Sequence, residues 1–579
     1  MPAYHEGWYQ FTSAPLVTRG LVVLAGSIYD DMSKWMPSGV IRAFDAKTGR
    51  LVWNWDPGNP NSTAPIKPGQ RYSWSSPNSW STSTADEKLG MIYVPMGMGA
   101  VDQYGANRPA TTEKFATSVV ALDTATGKPR WVFQTVHHDL WDMDVPTQPA
   151  LIDLPIAGRG MVPALVQSTK TGNIFVLDRR TGKPIFPVLE QKVPQGGMPG
   201  DRISPTQPLS TLTLLPPVVR ERDMWGATML DQLLCRIRFK QARYEGWYTP
   251  PTLKPTIVFP GNFGVMDWGG MAIDPVRKIA FAHPNYMAFV DQLTTRKAHA
   301  QNKGSEQGYN PNTGAPFGVY LNPFLSKLGL PCQAPPWGYV AGINLATGKV
   351  AWMHKNGTIE DESPLPLPIK MGVPSLGPPM ITAAGIAFMT STLDYYARAY
   401  DMRTGRELWK ARLPAGAQAG PMSYLGRDGR QYVIVVAGGH GSLGTKLGLP
   451  CQAPPWGYVA GMDLATGKVM WKHKNGTIVD QSPVPLPFKL GVPSLGGPMT
   501  TAGGVAFMSS TLDDFVRAYD VTTGRQLWED RLPAGGQATP MSYQGRDGRQ
   551  YVVVVAGGHG TLGTKAGDDV IAYALPQRG

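Results

Sequence analysis

Short apolar runs alternate with polar turns along this chain, and one such pattern recurs. An apolar run ends at Asp, Thr-Gly follows, and the next run carries a Trp, as from Ala43-Phe-Asp45 through Gly49 to Trp53. The pattern predicts a β-hairpin with a tight turn and a buried Trp. It returns in segments that end at Trp131, Trp352, Trp409, Trp471 and Trp528, with a weaker version ending at Phe186.

The spacing of these hairpins predicts the fold. Four of the intervals between turn glycines are 55 to 62 residues long. One hairpin per ~50 residues is typical of a four-stranded propeller blade. The sequence therefore predicts an all-β chain that forms a single β-propeller domain over residues 1–579. The motif tryptophans are expected to pack between blades, which makes them evidence of fold rather than of chemistry.

A tandem duplication lies in the second half. Residues 328–446 recur as residues 447–565 at a constant offset of 119, and 92 of the 119 positions match. Each copy contains two of the hairpins described above. Copy one is the more deviant: Pro378 stands where copy two has Gly497, and proline fixes φ and removes a hydrogen-bond donor. Copy two is therefore expected to supply the native-like terminal blades.

Composition and charge narrow the class of protein. The chain has 67 Gly and 54 Pro in 579 residues, which leaves little room for long helices. The net charge of +12 comes from scattered basic residues, so it suits an anionic small ligand and does not favour nucleic-acid binding. No signal peptide or membrane-spanning run is visible. The three cysteines have no metal-ligand spacing and are expected to be buried thiols.

Candidate chemistry is concentrated in the first third. Residues 137–144 read His-His-Asp-Leu-Trp-Asp-Met-Asp, a density that suits a general base or, alternatively, a polar loop that caps a strand. Lys170 lies between an apolar run and a turn and could face a central channel. Trp80 could offer a flat stacking surface. The pair Asp30-Asp31 could hold a hard cation or form an ordinary turn.

At these residues the chain resembles the pyrroloquinoline-quinone (PQQ) dehydrogenases, specifically the membrane-bound glucose and quinate/shikimate branch. The similarity covers nearly the whole chain apart from the duplicated block. The matching motifs are Ser38–Asp45, Ser76–Trp80, Gln134–Asp144, Lys170–Arg180, Asp223–Thr228, Pro260–Gly264 and the ending that contains Ala556-Gly-Gly-His-Gly560.

The resemblance implies a propeller of about eight four-stranded blades with the quinone near its axis. Asp142 would be the general base for the sugar hydroxyl, and Lys170 would lie beside the quinone oxygens. Trp80 would be the stacking floor, and His283 would contact the quinone where the family tends to have Asn. Asp30 and Asp31 would hold Ca²⁺ or Mg²⁺, although Asp31 stands where the family usually has Asn.

The same resemblance implies substrate, partners and location. His559, or its duplicate His440, would contact the substrate, and only one of them can occupy the ancestral place. The implied reaction is oxidation of an aldose, with ubiquinone as acceptor, at the periplasmic face of the bacterial inner membrane. Two alternatives stay open: a quinate or shikimate dehydrogenase, and a catalytically inactive propeller. The family's membrane anchor and opening blades are expected to be missing, with the duplication restoring part of the ring.

Overall fold

The computed structural model describes residues 7–295, 308–361, 368–438, 454–482, 487–545, 547–560 and 562–575. In this part of the chain, eight antiparallel sheets follow one another as blades, which confirms the predicted β-propeller. Six of these blades have four strands, and the third and eighth have three. The ladders of neighbouring strands pair residue by residue, with a bulge before most of the turns that carry the Thr-Gly motif.

The blade strands have the following bounds. Blade one comprises Leu16–Thr18, Leu21–Leu24, Ile41–Asp45 and Leu51–Trp55, blade two Thr84–Asp86, Met91–Met96, Ser118–Asp123 and Pro129–Gln134, and blade three Ala150–Ile156, Gly160–Ser168 and Ile174–Asp178. Blade four comprises Met271–Asp274, Ile279–Ala282, Tyr339–Asn344 and Lys349–Lys355, and blade five Met380–Ile381, Ile386–Met389, Tyr396–Asp401 and Glu407–Arg412. Blade six comprises Met422–Leu425, Gln431–Ala437, Tyr458–Asp463 and Val469–Lys474, blade seven Met499–Thr500, Val505–Met508, Phe515–Asp520 and Gln526–Arg531, and blade eight Met541–Gln544, Gln550–Ala556 and Asp569–Ala574.

The described residues also form elements that do not belong to the eight blades. Two ribbons pair Tyr9–Gln10 with Ser27–Ile28 and Val188–Lys192 with Thr206–Ser210. An insert sheet is formed by Thr256–Val258, Phe289–Thr295, Phe317–Pro323 and Gly308–Asn310. Two α-helices, α1 (Ala110–Phe115) and α2 (Met229–Gln241), accompany a 3-10 turn at Glu221–Asp223. Among the described residues, no helix is long and apolar enough to cross a membrane.

The motif tryptophans join neighbouring blades, as predicted. The indole N–H of Trp53 in blade one donates to Thr124 O of blade two at 2.9 Å, and that of Trp471 in blade six donates to Val521 O of blade seven at 2.9 Å. The turn glycine of the next blade lies directly beneath each ring. A Cβ at Gly127 would lie 2.5 Å from the Trp53 ring, and its φ of +70° also favours glycine.

The last blade packs against the first. Val555 of blade eight lies in one apolar cluster with Phe11, Val22 and Leu24. The Tyr543 hydroxyl donates to Ala46 O, after blade one, at 3.1 Å. Because these contacts join the two ends of the chain, blade eight has a packed neighbour on its blade-one side.

The duplicated block begins and ends in the middle of a blade. Copy one supplies the two outer strands of blade four, all of blade five and the first two strands of blade six. Copy two supplies the other two strands of blade six, all of blade seven and the first two strands of blade eight. Each copy therefore adds two blades' worth of strands without changing the order in which strands enter a blade.

The expectation of buried thiols is wrong for two of the three cysteines. Cys235 in α2 and Cys332 after the insert sheet form a disulfide that links residues 97 apart in sequence. Both are fully buried in a cluster with Met224, Ile257 and Phe324. Cys451, the duplicate of Cys332, lies outside the described residues.

Candidate active site

Three of the predicted side chains meet where the loops of blades one to three converge. Trp80 lies in the loop between blades one and two, Asp142 follows the last strand of blade two, and Lys170 lies in a turn of blade three. The Lys170 ammonium donates to Asp142 Oδ1 at 2.8 Å and lies 5.8 Å from the centre of the Trp80 ring. The structure therefore brings a carboxylate, a cation and an aromatic face together from three separate loops.

The ion pair lies in a poorly solvated place, with the Lys170 side chain 7% and the Asp142 side chain 18% exposed. Burial raises the pKa of Asp142 well above its usual value; the Lys170 charge opposes this rise, and Asp144 and Asp30 add to it. For Lys170, burial alone would lower the pKa, but the carboxylates of Asp142, Asp144 and Asp267 raise it above its usual value. Lys170 is therefore a fixed cation at neutral pH, and Asp142 is a stronger base than an exposed aspartate.

Asp144 fixes the Trp80 ring, a role that the sequence alone did not predict. Trp80 Nε1 donates to Asp144 Oδ2 at 2.7 Å, and the Met98 backbone N–H donates to Asp144 Oδ1 at 2.7 Å. Because Asp144 is buried and accepts from two loops, the half-buried indole is held in one orientation. The available signal was its place in the acidic motif that also contains Asp142.

Several residues of this region have left-handed backbone conformations. The φ angles of Asp31, His138 and Asp142 are +52°, +44° and +56°. Such conformations are uncommon outside glycine and concentrate at functional sites, where the surrounding structure holds them. Asp142, which has one of these conformations, forms the ion pair with Lys170.

A buried histidine clamps the loop that carries Asp142. His138 Nδ1 lies 3.0 Å from the Glu113 carboxylate of α1, and Nε2 lies 3.1 Å from Asp201 Oδ1. Asp201 also accepts from the Gly105 N–H at 2.8 Å. Burial would lower the pKa of His138, but its hydrogen bonds to Asp201 and Glu113 outweigh this and raise it. The imidazolium therefore ties three loops together four residues before Asp142.

The predicted metal residues Asp30 and Asp31 lie in different surroundings, one exposed and one buried. Asp30 is exposed, and its charge acts on Asp142 and Asp102. Asp31 is buried and accepts from the Asp102 N–H at 3.0 Å. With their amide nitrogens turned toward it, Gln103 and Asn312 donate to Asp31 at 2.7 and 2.9 Å.

Burial raises the pKa values of Asp31 and of two nearby carboxyl groups, Asp102 and Asp291. Burial, partly opposed by hydrogen bonds, raises the pKa of Asp31 to about 6. Burial and the charges of Asp31 and Asp30 raise that of Asp102. Burial likewise raises the pKa of Asp291 to about 8, although Asn262 donates to it at 3.2 Å. Asn262 belongs to the Pro260–Gly264 motif, which was recognised but given no residue-level role.

The structure does not join His283 to the charged groups. Its ring is fully buried, Nδ1 donates to Ser375 O at 3.1 Å, and Nε2 has no partner among the described residues. Burial lowers the pKa of His283 to about 4, so the ring is neutral. Backbone bonds link its segment to Lys170 indirectly: Val265 N–H donates to Lys170 O, and Asn285 N–H donates to Val265 O, both at 2.7 Å.

Only one of the two candidate substrate histidines can be placed. His559 follows the strand Gln550–Ala556 of blade eight. Its backbone N–H donates to Thr564 Oγ1 at 2.8 Å. A side chain added at Gly560 would meet Tyr29, the residue before Asp30, so this loop lies beside the Asp30 segment. His440 lies outside the described residues.

Comparison with known proteins identifies the family of this chain. The profile of the family described as "PQQ: Glucose/ethanol/alcohol dehydrogenase, beta-propeller domain" matches residues 1–433 and 436–552. The chain belongs to this family. It is 48% identical to the quinoprotein glucose dehydrogenase of Gluconobacter oxydans (strain 621H), with 77% of this chain and 58% of that protein covered. The PQQ dehydrogenase of the same description from Escherichia coli (strain K12) is 47% identical, with the same two shares.

Other PQQ-family relatives are more distant. The quinate/shikimate dehydrogenase (quinone) of Acinetobacter baylyi (strain ATCC 33305 / BD413 / ADP1) is 43% identical, with 74% of this chain and 55% of that protein covered. The solved quinohemoprotein alcohol dehydrogenase of Comamonas testosteroni aligns with a TM-score of 0.50 at 22% identity, covering 74% of this chain and 56% of that one. That likeness concerns the fold alone. The chain spans 58% of the length of the glucose dehydrogenases it matches.

The residues fit the cofactor of the PQQ family. PQQ is a flat quinone with three carboxylates, and Trp80 offers an oriented ring face with the Lys170 cation beside it. Neighbouring carboxylates raise the pKa values of Asp102 and Asp142, and a divalent cation bound by carboxylate oxygens would reduce this repulsion. Among the described residues, however, no group of three or more His, Cys, Asp and Glu side chains is arranged to hold a metal. A metal here would need amide, backbone or cofactor oxygens as further ligands.

Proposed function

We propose that this chain is a PQQ-dependent dehydrogenase that oxidises a sugar hydroxyl, with D-glucose converted to its lactone. The observation that carries the proposal is the buried Asp142–Lys170 ion pair beside the fixed ring of Trp80. Family membership and the 47–48% identity to two quinoprotein glucose dehydrogenases support it.

In this proposal each side chain has one task. Asp142 accepts the proton of the sugar hydroxyl, a role that its raised pKa suits because a stronger base is a better proton acceptor. Lys170, held charged by the surrounding carboxylates, places a positive charge where negative charge develops on the acceptor. PQQ, when bound, would accept the hydride. Trp80 orients the flat cofactor, and Asp144 keeps Trp80 in place.

A divalent cation, Ca²⁺ or Mg²⁺, belongs to the proposal. Asp30 and Asp31 are the candidate protein residues for it, and the charge of Asp30 acts on both Asp142 and Asp102. Asp31 would support Asp30 from the buried side, through its bond to Asp102 and the amides of Gln103 and Asn312. His559 is the proposed substrate contact, since its loop lies beside the Asp30 segment. His283 would contribute a neutral nitrogen to the cofactor pocket.

Location and electron acceptor follow from the family. We propose the periplasmic face of the inner membrane, with ubiquinone as acceptor. The Cys235–Cys332 disulfide supports an oxidising compartment, where such bonds form and persist.

The test is dye-linked oxidation of glucose by the purified chain, given PQQ and either Ca²⁺ or Mg²⁺, with quinate and shikimate in parallel. We expect turnover on glucose that requires PQQ, and Asp142→Asn should lower it by about 10²–10⁴-fold. The matched control is Asp153→Asn, an exposed aspartate that pairs with Arg179. Replacing the dye with a soluble ubiquinone analogue tests the acceptor.

The result distinguishes a glucose dehydrogenase from a quinate or shikimate dehydrogenase and from an inactive propeller. Preference for quinate or shikimate would instead make the chain a quinate/shikimate dehydrogenase, like the relative that is 43% identical to it. Folded protein that binds PQQ but turns over none of the three substrates would identify an inactive propeller. Equal activity in Asp142→Asn would contradict the role of Asp142.

A further inference from the structure

The backbone on both sides of Asp142 is held by one buried carboxylate. Asp139 Oδ1 accepts from the Trp141 N–H at 2.9 Å, and Oδ2 accepts from the Met143 N–H at 2.8 Å. The hydroxyl of Thr117, directly before a strand of blade two, also donates to Oδ2 at 2.9 Å. Because Asp139 is only 1% exposed, little water can compete for these bonds. Asp139 therefore fixes the turn in which Asp142 has its left-handed φ of +56°.

The Pro260–Gly264 motif and the residue after it contact the backbone on both sides of the ion pair. Asn262 Nδ2 donates to Trp141 O, directly before the proposed base, at 3.2 Å. Three residues later along the chain, the Val265 N–H donates to Lys170 O at 2.7 Å. One short segment therefore binds the chain that carries the carboxylate and the chain that carries the ammonium.

A second hydrogen bond fixes the side chain of Asn262. Its Nδ2 also donates to Asp291 Oδ2 at 3.2 Å. Asp291 is fully buried in the strand Phe289–Thr295 of the insert sheet. Since one amide group joins the insert sheet to Trp141 O, it cannot turn away from that carbonyl group without also losing the bond to Asp291.

Gly264 lies directly against Lys170. A Cβ at Gly264 would be 2.6 Å from Lys170 Cγ and 2.8 Å from its Cα, and the φ of +77° also favours glycine. These distances are well below the ~3.5–4.0 Å of an ordinary contact between carbon atoms. The lysine is therefore held at its carbonyl group by Val265 and packed at the start of its side chain by Gly264.

We propose that Asp139, Asn262 and Gly264 are positioning residues for the proposed base and its lysine partner, an inference that rests on the proposed function. Asp139 binds the amides that flank the base, Asn262 binds the carbonyl group before it, and Gly264 sets the place of the lysine. A base must lie within hydrogen-bond reach of the proton that it accepts. A misplacement of about 1 Å can therefore lower the rate about 10²-fold.

Steady-state kinetics of glucose oxidation by the full chain, supplied with PQQ and Ca²⁺, test the proposal. The variants are Asp139→Ala, Gly264→Ala and Asn262→Leu, which removes the donor but keeps a similar size. We expect kcat to fall by about 10–10²-fold with little change in KM, because the base acts mainly in the transition state. Asp139→Asn keeps one acceptor oxygen and should retain more activity than Asp139→Ala.

The matched control is Asp86→Asn. Asp86 is another buried aspartate of blade two that accepts a backbone N–H, from Leu89 at 3.0 Å, and it pairs with Arg179. It lies at the opposite end of the blade from the loop that follows the last strand, so its loss should lower stability but leave kcat unchanged. Circular dichroism confirms that each variant is folded; if Asp139→Ala is not, the other variants carry the test.

Urea unfolding adds a test that needs no activity. The non-additivity of Asp142→Asn and Lys170→Met measures their interaction. It should fall by about half or more in the Asn262→Leu background and stay the same in the Asp86→Asn background. Unchanged coupling with Asn262→Leu would overturn the proposal, as would unchanged kcat in Asn262→Leu and Gly264→Ala when Asp142→Asn is impaired. If the unaltered chain has no activity, the proposed function fails, and the coupling alone decides the positioning role.

Discussion

The indole nitrogen of Trp80 donates to Asp144 across 64 residues of sequence, at 2.7 Å. Asp144 accepts at the same time from the Met98 N–H, so one buried carboxylate fixes both the ring and the strand end beside it. Asp142, two residues earlier, forms the ion pair with Lys170. The acidic motif therefore has two parts: Asp144 orients the ring face, and Asp142 is the proposed base.

Asp144→Ala should weaken PQQ binding. The substitution leaves the Trp80 and Met98 N–H groups without their acceptor, and each unsatisfied group costs about 1–3 kcal/mol. A ring that is no longer held should lower PQQ affinity by about tenfold, equivalent to 1.4 kcal/mol. Isothermal titration calorimetry measures this, with Asp153→Ala as the control. Unchanged affinity would mean that packing alone orients Trp80.

Removing either partner of the buried ion pair should destabilise the protein, and removing both should cost less than the sum of the two single losses. Lys170→Met or Asp142→Asn alone should each cost about 3–5 kcal/mol, and the double variant should cost less than their sum. Urea unfolding measures the free energies. Additive costs would show that the pair does not interact in the folded state.

The Lys170→Met variant should also depend on pH. Lys170 opposes the burial that raises the pKa of Asp142, so its removal raises that pKa further. When a carboxyl group has a higher pKa in the folded than in the unfolded state, the protein loses stability as pH rises, because the group ionises less readily in the folded state. We expect Lys170→Met to be more destabilised at about pH 8 than at about pH 5. The opposite slope would contradict the burial of Asp142.

His138 should stabilise the loop in a limited pH range. Its raised pKa means that its contribution is fully present below the unfolded pKa of about 6.5 and is lost as pH rises through the higher folded pKa. Glu113 and Asp201 have pKa values that burial raises but His138 lowers to below their usual range, so they keep their charge down to acidic pH. His138→Asn tolerates the left-handed φ of +44° and should cost about 1–3 kcal/mol at about pH 6, and less at about pH 9.

Unfolding free energies of the unaltered chain and His138→Asn, measured across this range, test the point. The control is His137→Asn, whose partner Glu190 is exposed and whose ion pair should contribute less than about 1 kcal/mol. A cost for His138→Asn that stays constant with pH would show that the imidazole acts only by its shape.

The fold could be predicted because its signals are local and repeated. In five of the motifs the Asp side chain accepts from the Thr three residues later, as Asp45 does from Thr48, and glycine takes a positive φ at the turn. Asn344 takes the place of Asp in the motif that ends at Trp352. The duplication even repeats contacts at an offset of 119: Asp394 pairs with Arg398, and Asp513 pairs with Arg517. Neither kind of evidence depends on how distant loops approach each other.

The rest of the site depends on such distant approaches. Trp80, Asp142 and Lys170 could be named from motifs, but the bond from Trp80 to Asp144 joins two loops whose path the motifs do not describe. The hydrogen bonds of the His138 ring need Glu113 of α1 and Asp201, which lies in the loop between Val188–Lys192 and Thr206–Ser210. The disulfide was missed because three cysteines leave the pairing open, and the position of α2 decides it.

The disulfide should be needed to hold α2 on the propeller. It closes a loop of 97 residues, for which the chain-entropy estimate is about 4.7 kcal/mol, and measured values are typically about 2–4 kcal/mol. Cys235→Ser/Cys332→Ser should lower the free energy of unfolding by that amount and expose α2 to limited proteolysis. Cys451→Ser is the matched control, because Cys451 takes no part in this bond. Since the bond from Arg238 to Leu325 O and the Thr228 cap of the helix would remain, a small loss of stability with an unchanged proteolysis pattern would mean that these contacts alone hold the helix in place.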